Sequence, residues 1–199
     1  IVDWFYKGKD WPAFVGSSMA TLFIGSILFL TKRGSATEHL ELRQAFLLTN
    51  SAWISIAVFG SLPFLLSDID MSFIDAFFES TSGITTTGAT VIENLETKSR
   101  GILIWRALLQ WLGGVGIIVM ALAVLPMLSI GGMQLFKTES YETPDKVVPK
   151  AASFAAGISI VYITLTIIWA FMLWGAGMPI FDSIAHAMTT LATGGYSTK

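Results

Sequence analysis

The chain has 199 residues, 53% hydrophobic and only 13% charged, with a mean hydropathy of +0.67 and a formal net charge of −2. Soluble domains carry roughly 25% charged residues, so this composition places the chain in a membrane. The near-neutral charge without a basic run argues against nucleic acid as a partner, and the lack of cysteine excludes disulfides and thiolate metal sites.

The chain opens on Ile-Val-Asp, without the basic n-region and cleavage site of a signal peptide, and stops at Lys199 just after a polar loop. The expectation is an internal piece of a longer protein. Residues 1–10, with Trp4, Phe5, Tyr6, Lys7 and Lys9, suit a headgroup region, where Trp and Tyr rings collect. Residues 11–31 are apolar for long enough to cross ~30 Å of hydrocarbon as a helix, and Gly16 and Gly25 allow close helix packing. Residues 34–43 form a charged connection containing Glu38, His39, Glu41 and Arg43, with His39 read as a solvated loop residue. The second span covers about 44–66, with Pro63 tolerable in a bundle whose neighbours satisfy the freed carbonyl.

After the acidic turn at Asp68 and Asp70, residues 72–84 are too short to span and read as a re-entrant half-helix. Asp75, near its start, complements the positive helix N-terminus, and it and Asp182 of the later short segment are read as caps rather than ion ligands. Its C-terminus carries partial negative charge toward the run Ser80-Thr-Ser-Gly-Ile-Thr-Thr-Thr-Gly-Ala-Thr90, which favours a cation there. That run has no charge, and its β-branched threonines before Gly88 disfavour a helix. Irregular backbone survives at membrane depth only when packed in protein or lining an aqueous cavity. Hydroxyls and carbonyls without a carboxylate suit a dehydrated monovalent cation that must also leave, so the run reads as one wall of an ion filter. A helix-breaking loop buried between helices is the plainer alternative.

Residues 93–100 form a solvated loop, and the third span follows over about 102–128. It holds Arg106, Gln110 and the small residues Gly113, Gly114 and Gly116, which mark a helix buried among helices and read as close-packing sites. Arg106 is a functional candidate by its depth, or else it snorkels to the outer interface. Pro126 and Gly131-Gly132 mark the distal end of this span. A charged amphipathic stretch over 133–150 leads to a fourth span over about 151–174. After Pro179 a second short segment begins. The Lys and Arg count between spans leans weakly toward a cytoplasmic side for residues 32–43 and 129–150.

Sliding the chain against itself by 107 positions pairs Asp75 with Asp182, Thr86 with Thr193, Gly88 with Gly195, and the hydroxyls of Thr90 and Ser197. Ile180 to Ser197 is therefore a degenerate copy of Phe73 to Thr90, and the repeating unit is helix, half-helix, polar return, helix. The paired Glu79 and His186 differ chemically, which argues against a shared catalytic task. One unit presents too few carbonyls to surround an ion, so several must converge on an axis. The resulting division is 1–43 for an N-terminal hairpin part and linker, 44–150 for a first unit, and 151–199 for a second unit truncated after its loop.

Three motifs carry a family resemblance: Glu79-Ser-Thr-Ser-Gly-Ile-Thr-Thr-Thr-Gly-Ala-Thr90, Leu109-Gln-Trp-Leu-Gly-Gly-Val-Gly-Ile117 and Leu125-Pro-Met-Leu-Ser-Ile-Gly-Gly-Met-Gln134. In order and at these spacings, over nearly all of residues 40–199, the chain resembles the TrkH/TrkG family of bacterial potassium uptake proteins. The resemblance implies an all-α membrane protein of repeated helix, pore-helix, helix units with re-entrant filter loops, four units surrounding one pore. It implies K+ as the transported ion, held by backbone carbonyls of Thr86, Thr87 and Gly88, and of Thr193, Gly194 and Gly195. Gly194 and Gly195 compete for the filter position in the second loop. It further implies an inner-membrane homodimer with a cytosolic nucleotide-binding regulatory subunit of the TrkA type, and no enzymatic activity. Each loop lacks the Thr-Val-Gly-Tyr-Gly pattern of tetrameric potassium channels, so discrimination against sodium should be weaker. The sodium-dependent KtrB branch shares these loops but lacks the hairpin preceding Leu40. An intramembrane enzyme lacks support from any Ser-His, His/Glu or paired-aspartate arrangement within a span.

Overall fold

A computed structural model describes residues 2–6, 8–32, 42–128 and 147–199, and the regular elements among them are helices. His39, Gly131, Gly132 and the charged stretch through Asp145 lie outside the described residues, as does the end of the third motif. The helices are α1 (Val2–Phe5), α2 (Trp11–Lys32), α3 (Leu42–Leu66), α4 (Phe73–Ile84), α5 (Arg100–Leu128), α6 (Val147–Gly175) and α7 (Ile180–Leu191). Four of them, α2, α3, α5 and α6, are long and apolar enough to cross a membrane. α3 and α6 each start a few residues before the boundaries expected from hydropathy, because hydropathy marks where hydrocarbon begins rather than where the helix does.

Local chemistry sets the helix ends. Pro12 in the first turn of α2 lacks a donor that the helix could not have used. Along α2, the hydroxyls of Ser17 and Thr21 donate to the carbonyls of Ala13 and Ser17, so neither is left unpaired in an apolar setting. α4 opens with a reciprocal cap: the Asp75 N–H donates to Ser72 Oγ at 3.2 Å, and that hydroxyl donates to Asp75 Oδ2 at 2.7 Å. α6 closes through Gly177 at φ +98°, with the N–H groups of Gly177 and Met178 reaching back to the carbonyls of Trp174 and Leu173.

α5 is the central element. One face packs against α3 and α4 through Phe64, Ala76, Ile102 and Leu109, and another packs against α7 through Ala107, Ala185 and Met188. α3 runs on through Pro63, and Trp105 Nε1 of α5 donates to the Gly60 carbonyl at 3.0 Å. α6 joins α5 through Trp111 Nε1 donating to Thr166 Oγ1 and the Tyr162 hydroxyl donating to the Trp111 carbonyl. The outward faces of α2 and α6 carry large exposed apolar groups such as Phe23 (68% exposed) and Ile160 (65%). A water-facing surface of that kind would be anomalous, whereas hydrocarbon solvates it.

The N-terminal segment is tied into the bundle by its acidic side chains. Asp3 is buried, and its Oδ1 accepts the Gly101 N–H at 3.0 Å, capping α5 from outside that helix. Asp10 Oδ1 likewise accepts the Asp68 N–H beyond the end of α3. The Arg100 guanidinium lies 4.2 Å from the Tyr6 ring centre and 5.0 Å from that of Phe181, so this segment ties the start of α5 to the start of α7.

Candidate ion-binding loops

α4 and α7 are each 12 residues long, and each ends in a loop with the same backbone. Thr86 and Thr193 have φ of +57° and +55°, and Gly88 and Gly195 have φ of +80° and +81°. The turn hydrogen bonds also correspond at the 107-residue shift. Thr85, Thr86 and Thr87 donate to the carbonyls of Thr81, Gly83 and Ser82, and Ala192, Thr193 and Gly194 donate to those of Met188, Thr190 and Thr189. In this backbone Gly195, not Gly194, corresponds to Gly88. Left-handed φ is costly for a β-branched residue, so both threonines are held there by their surroundings.

These loops consume their N–H groups and spare their carbonyls. No described residue donates a hydrogen bond to the carbonyls of residues 85–88 or 192–195. Thr85, Thr87, Thr193 and Gly195 are exposed. Among the described residues, no group of three or more His, Cys, Asp or Glu side chains comes together. A cation at the loops would therefore meet neutral oxygen dipoles.

Behind the loops lies a buried charge pair. Arg106 Nε donates to Glu79 Oε1 at 2.7 Å, with the two side chains 1% and 0% exposed. The rest of the carboxylate is satisfied by Thr90 Oγ1 at 2.9 Å and the Val91 N–H at 3.0 Å. Arg106 Nη1 continues to the Ser197 carbonyl at 2.9 Å, and its guanidinium carbon sits 4.0 Å from the Tyr196 ring centre. The Tyr196 hydroxyl returns across the gap to the carbonyls of Glu79 and Ala89. Burial first, and then the charge of Glu79, raise the Tyr196 phenol well above its ordinary range, so it stays a donor.

The chemically unlike pair at positions 79 and 186 turns out to share a geometry. Glu79 accepts from Thr90 Oγ1, and His186 Nε2 lies 3.3 Å from Ser197 Oγ, the hydroxyl paired with Thr90 by the repeat. In each unit this half-helix residue ties down its own return strand.

Glycines set the spacing. A Cβ on Gly113 would overlap the Ile84 carbonyl, one on Gly114 would come 2.7 Å from the Tyr162 hydroxyl, and one on Gly116 would rest against Trp53. They are packing sites, as expected. A Cβ on Gly88 would overlap the Gly194 carbonyl, and one on Gly194 would overlap the Gln110 side chain. The two loops are thus in contact, and all six residues expected to face the ion lie in them. Snorkelling by Arg106 is overturned by its burial against Glu79. The sequence places Glu79 and Arg106 each at depth in an apolar segment, but not against one another. Gln110 and Tyr196 carried no comparable sign.

A family model described as TrkH, cation transport protein, matches residues 11–199. The chain is 42% identical to the Trk system potassium uptake protein TrkH of Salmonella typhimurium over 201 aligned positions, covering 100% of this chain and 41% of that protein. It is 46% identical to TrkI of Halomonas elongata over 77% of this chain and 31% of that protein. The crystal structure of the potassium transporter TrkH from Vibrio parahaemolyticus superposes with a TM-score of 0.85 at 38% identity, covering 100% of this chain and 39% of that one. The chain spans about two fifths of the length of these relatives. With its helical membrane fold, its family-model match and its relatedness to TrkH along its full length, this chain belongs to the TrkH family of cation transport proteins.

Proposed function

We propose that the chain is the N-terminal part of a potassium-uptake subunit of the bacterial inner membrane, and that its two Thr/Gly loops are two walls of the ion filter. The observation that carries this reading is the set of carbonyls at residues 85–88 and 192–195 that accept no hydrogen bond from any described residue, in adjacent loops of one backbone form. Carbonyl dipoles replace the hydration shell of a monovalent cation at moderate strength, so the ion can enter and still leave. Partial negative charge at the C-termini of α4 and α7, both aimed at the loops, adds to the attraction. Thr86, Thr87 and Gly88 serve the first wall, and Thr193, Gly194 and Gly195 the second, with Gly195 as the counterpart of Gly88.

The potassium-uptake names of the relatives support potassium as the ion, and their designation as parts of a Trk system supports membership in a multi-component assembly. In this reading two copies form a homodimer, and a cytosolic TrkA-type nucleotide-binding subunit regulates it. The remaining walls come from further units of the same polypeptide.

The test is potassium flux into liposomes carrying the full-length protein. Gly88→Ser and Gly195→Ser should each remove most flux or relax preference over sodium. Parental flux and preference in both variants would overturn the filter assignment.

A further inference from the structure

Gln110 belongs to neither loop and to no ion pair, yet it is completely buried on α5 one turn beyond Arg106. Its Oε1 accepts the Tyr196 N–H at 3.1 Å, and its Nε2 has no partner among the described residues. Its side chain fills the space a Cβ on Gly194 would need, and its Nε2 lies 3.6 Å from the Cβ position of Gly88. One uncharged side chain thus packs on the second loop and lies beside the first.

In a trans peptide the C=O of one residue and the N–H of the next point in opposite directions across one plane. Holding the Tyr196 N–H toward α5 therefore turns the Gly195 carbonyl away from α5, to the side on which Gly195 is exposed. The same contact explains a departure between the repeats. The first loop carries Thr87 where the second carries Gly194, and a threonine side chain at 194 would collide with Gln110.

We infer that Gln110 is a positioning residue of the filter: it aims the Gly195 carbonyl through the Tyr196 N–H, and Gly194 is glycine to make room for it. This rests on the filter reading above. The acceptor can be removed at similar volume by Gln110→Leu, which leaves a buried N–H unpaired.

The full-length protein in liposomes is assayed for potassium and sodium flux, normalised to folded protein. Gln110→Leu should change the potassium-over-sodium preference on the order of tenfold, the scale of one unsatisfied buried donor. It should do so with a smaller change in maximal rate, a split that general loosening would not produce. Unchanged preference and apparent affinity would overturn the inference. If Gln110→Leu fails to accumulate, the space-filling contact decides. Gly194→Ala alone should lose about tenfold or more in flux, and adding Gln110→Ala should restore most of the rate but not the preference, a non-additive result. Parental flux in Gly194→Ala, or no recovery in the double variant, would refute it. An unaltered protein that carries no potassium would sink the filter reading itself, and this inference with it.

Discussion

Arg106 and Glu79 meet at 2.7 Å with almost no exposure, and the same guanidinium reaches the Ser197 carbonyl in the second loop. The carboxylate is filled by three donors, whereas Arg106 Nη2 has no acceptor among the described residues. Removing either partner strands the other charge in an apolar interior, at a cost of about 3–5 kcal/mol. Glu79→Leu and Arg106→Leu should each greatly reduce folded protein, and the double variant should recover part of it. Thermal unfolding of detergent-solubilised full-length protein checks this, and strict additivity would contradict it.

Gly88 combines positive φ with a Cβ position overlapping the Gly194 carbonyl, so Gly88→Ala should impair the paired loops more than a φ effect alone, roughly 1–2 kcal/mol. Gly195 has nearly the same φ, and beyond its chain neighbours no described residue comes within 4 Å of its Cβ position. Gly195→Ala should therefore be the milder variant in unfolding temperature. Equal shifts in the two midpoints would contradict the contact between the loops.

Thr86 and Thr193 hold a conformation that β-branched residues avoid. Replacing either by glycine releases strain of about 1–2 kcal/mol while loosening the loop. Thr193→Gly should leave the unfolding midpoint unchanged or higher while lowering potassium-over-sodium preference. A clear fall in the midpoint would show that the hydroxyl, rather than the backbone, is what the position needs.

The two half-helices begin differently. Asp75 shares a reciprocal cap with Ser72, whereas α7 starts at Pro179 with no side-chain cap. Asp75→Ala should cost about 1 kcal/mol and Asp182→Ala only a few tenths, both without altering ion preference. Ser72→Ala should resemble Asp75→Ala. A shifted preference in Asp75→Ala at normal expression would argue that the carboxylate sees the ion.

Much of this architecture is legible in the chain because its causes are local. Twenty apolar residues make a span, an aspartate such as Asp75 marks the start of a short helix, and threonines before a glycine stop one. The 107-residue repeat then predicts that Gly195 adopts the backbone of Gly88, as it does. What stays hidden is pairing between distant positions. Arg106 finds Glu79 across 27 residues, Asp3 caps a helix 98 residues away, and Gln110 meets Tyr196 across 86. Hydropathy reads Arg106 as misplaced because it sees the charge and not the carboxylate that neutralises it. Gly194 looks like a rival for the filter position because composition cannot separate a glycine chosen for φ from one chosen for size.

The guanidinium link also gives biosynthesis a direction. Glu79 and Arg106 both lie in the stretch that leaves the ribosome before Ser197, and N-terminal parts generally fold first. The earlier half can therefore lock its own charges together while the later half is still being made. The guanidinium donor that meets the Ser197 carbonyl thus belongs to the half of the chain made first.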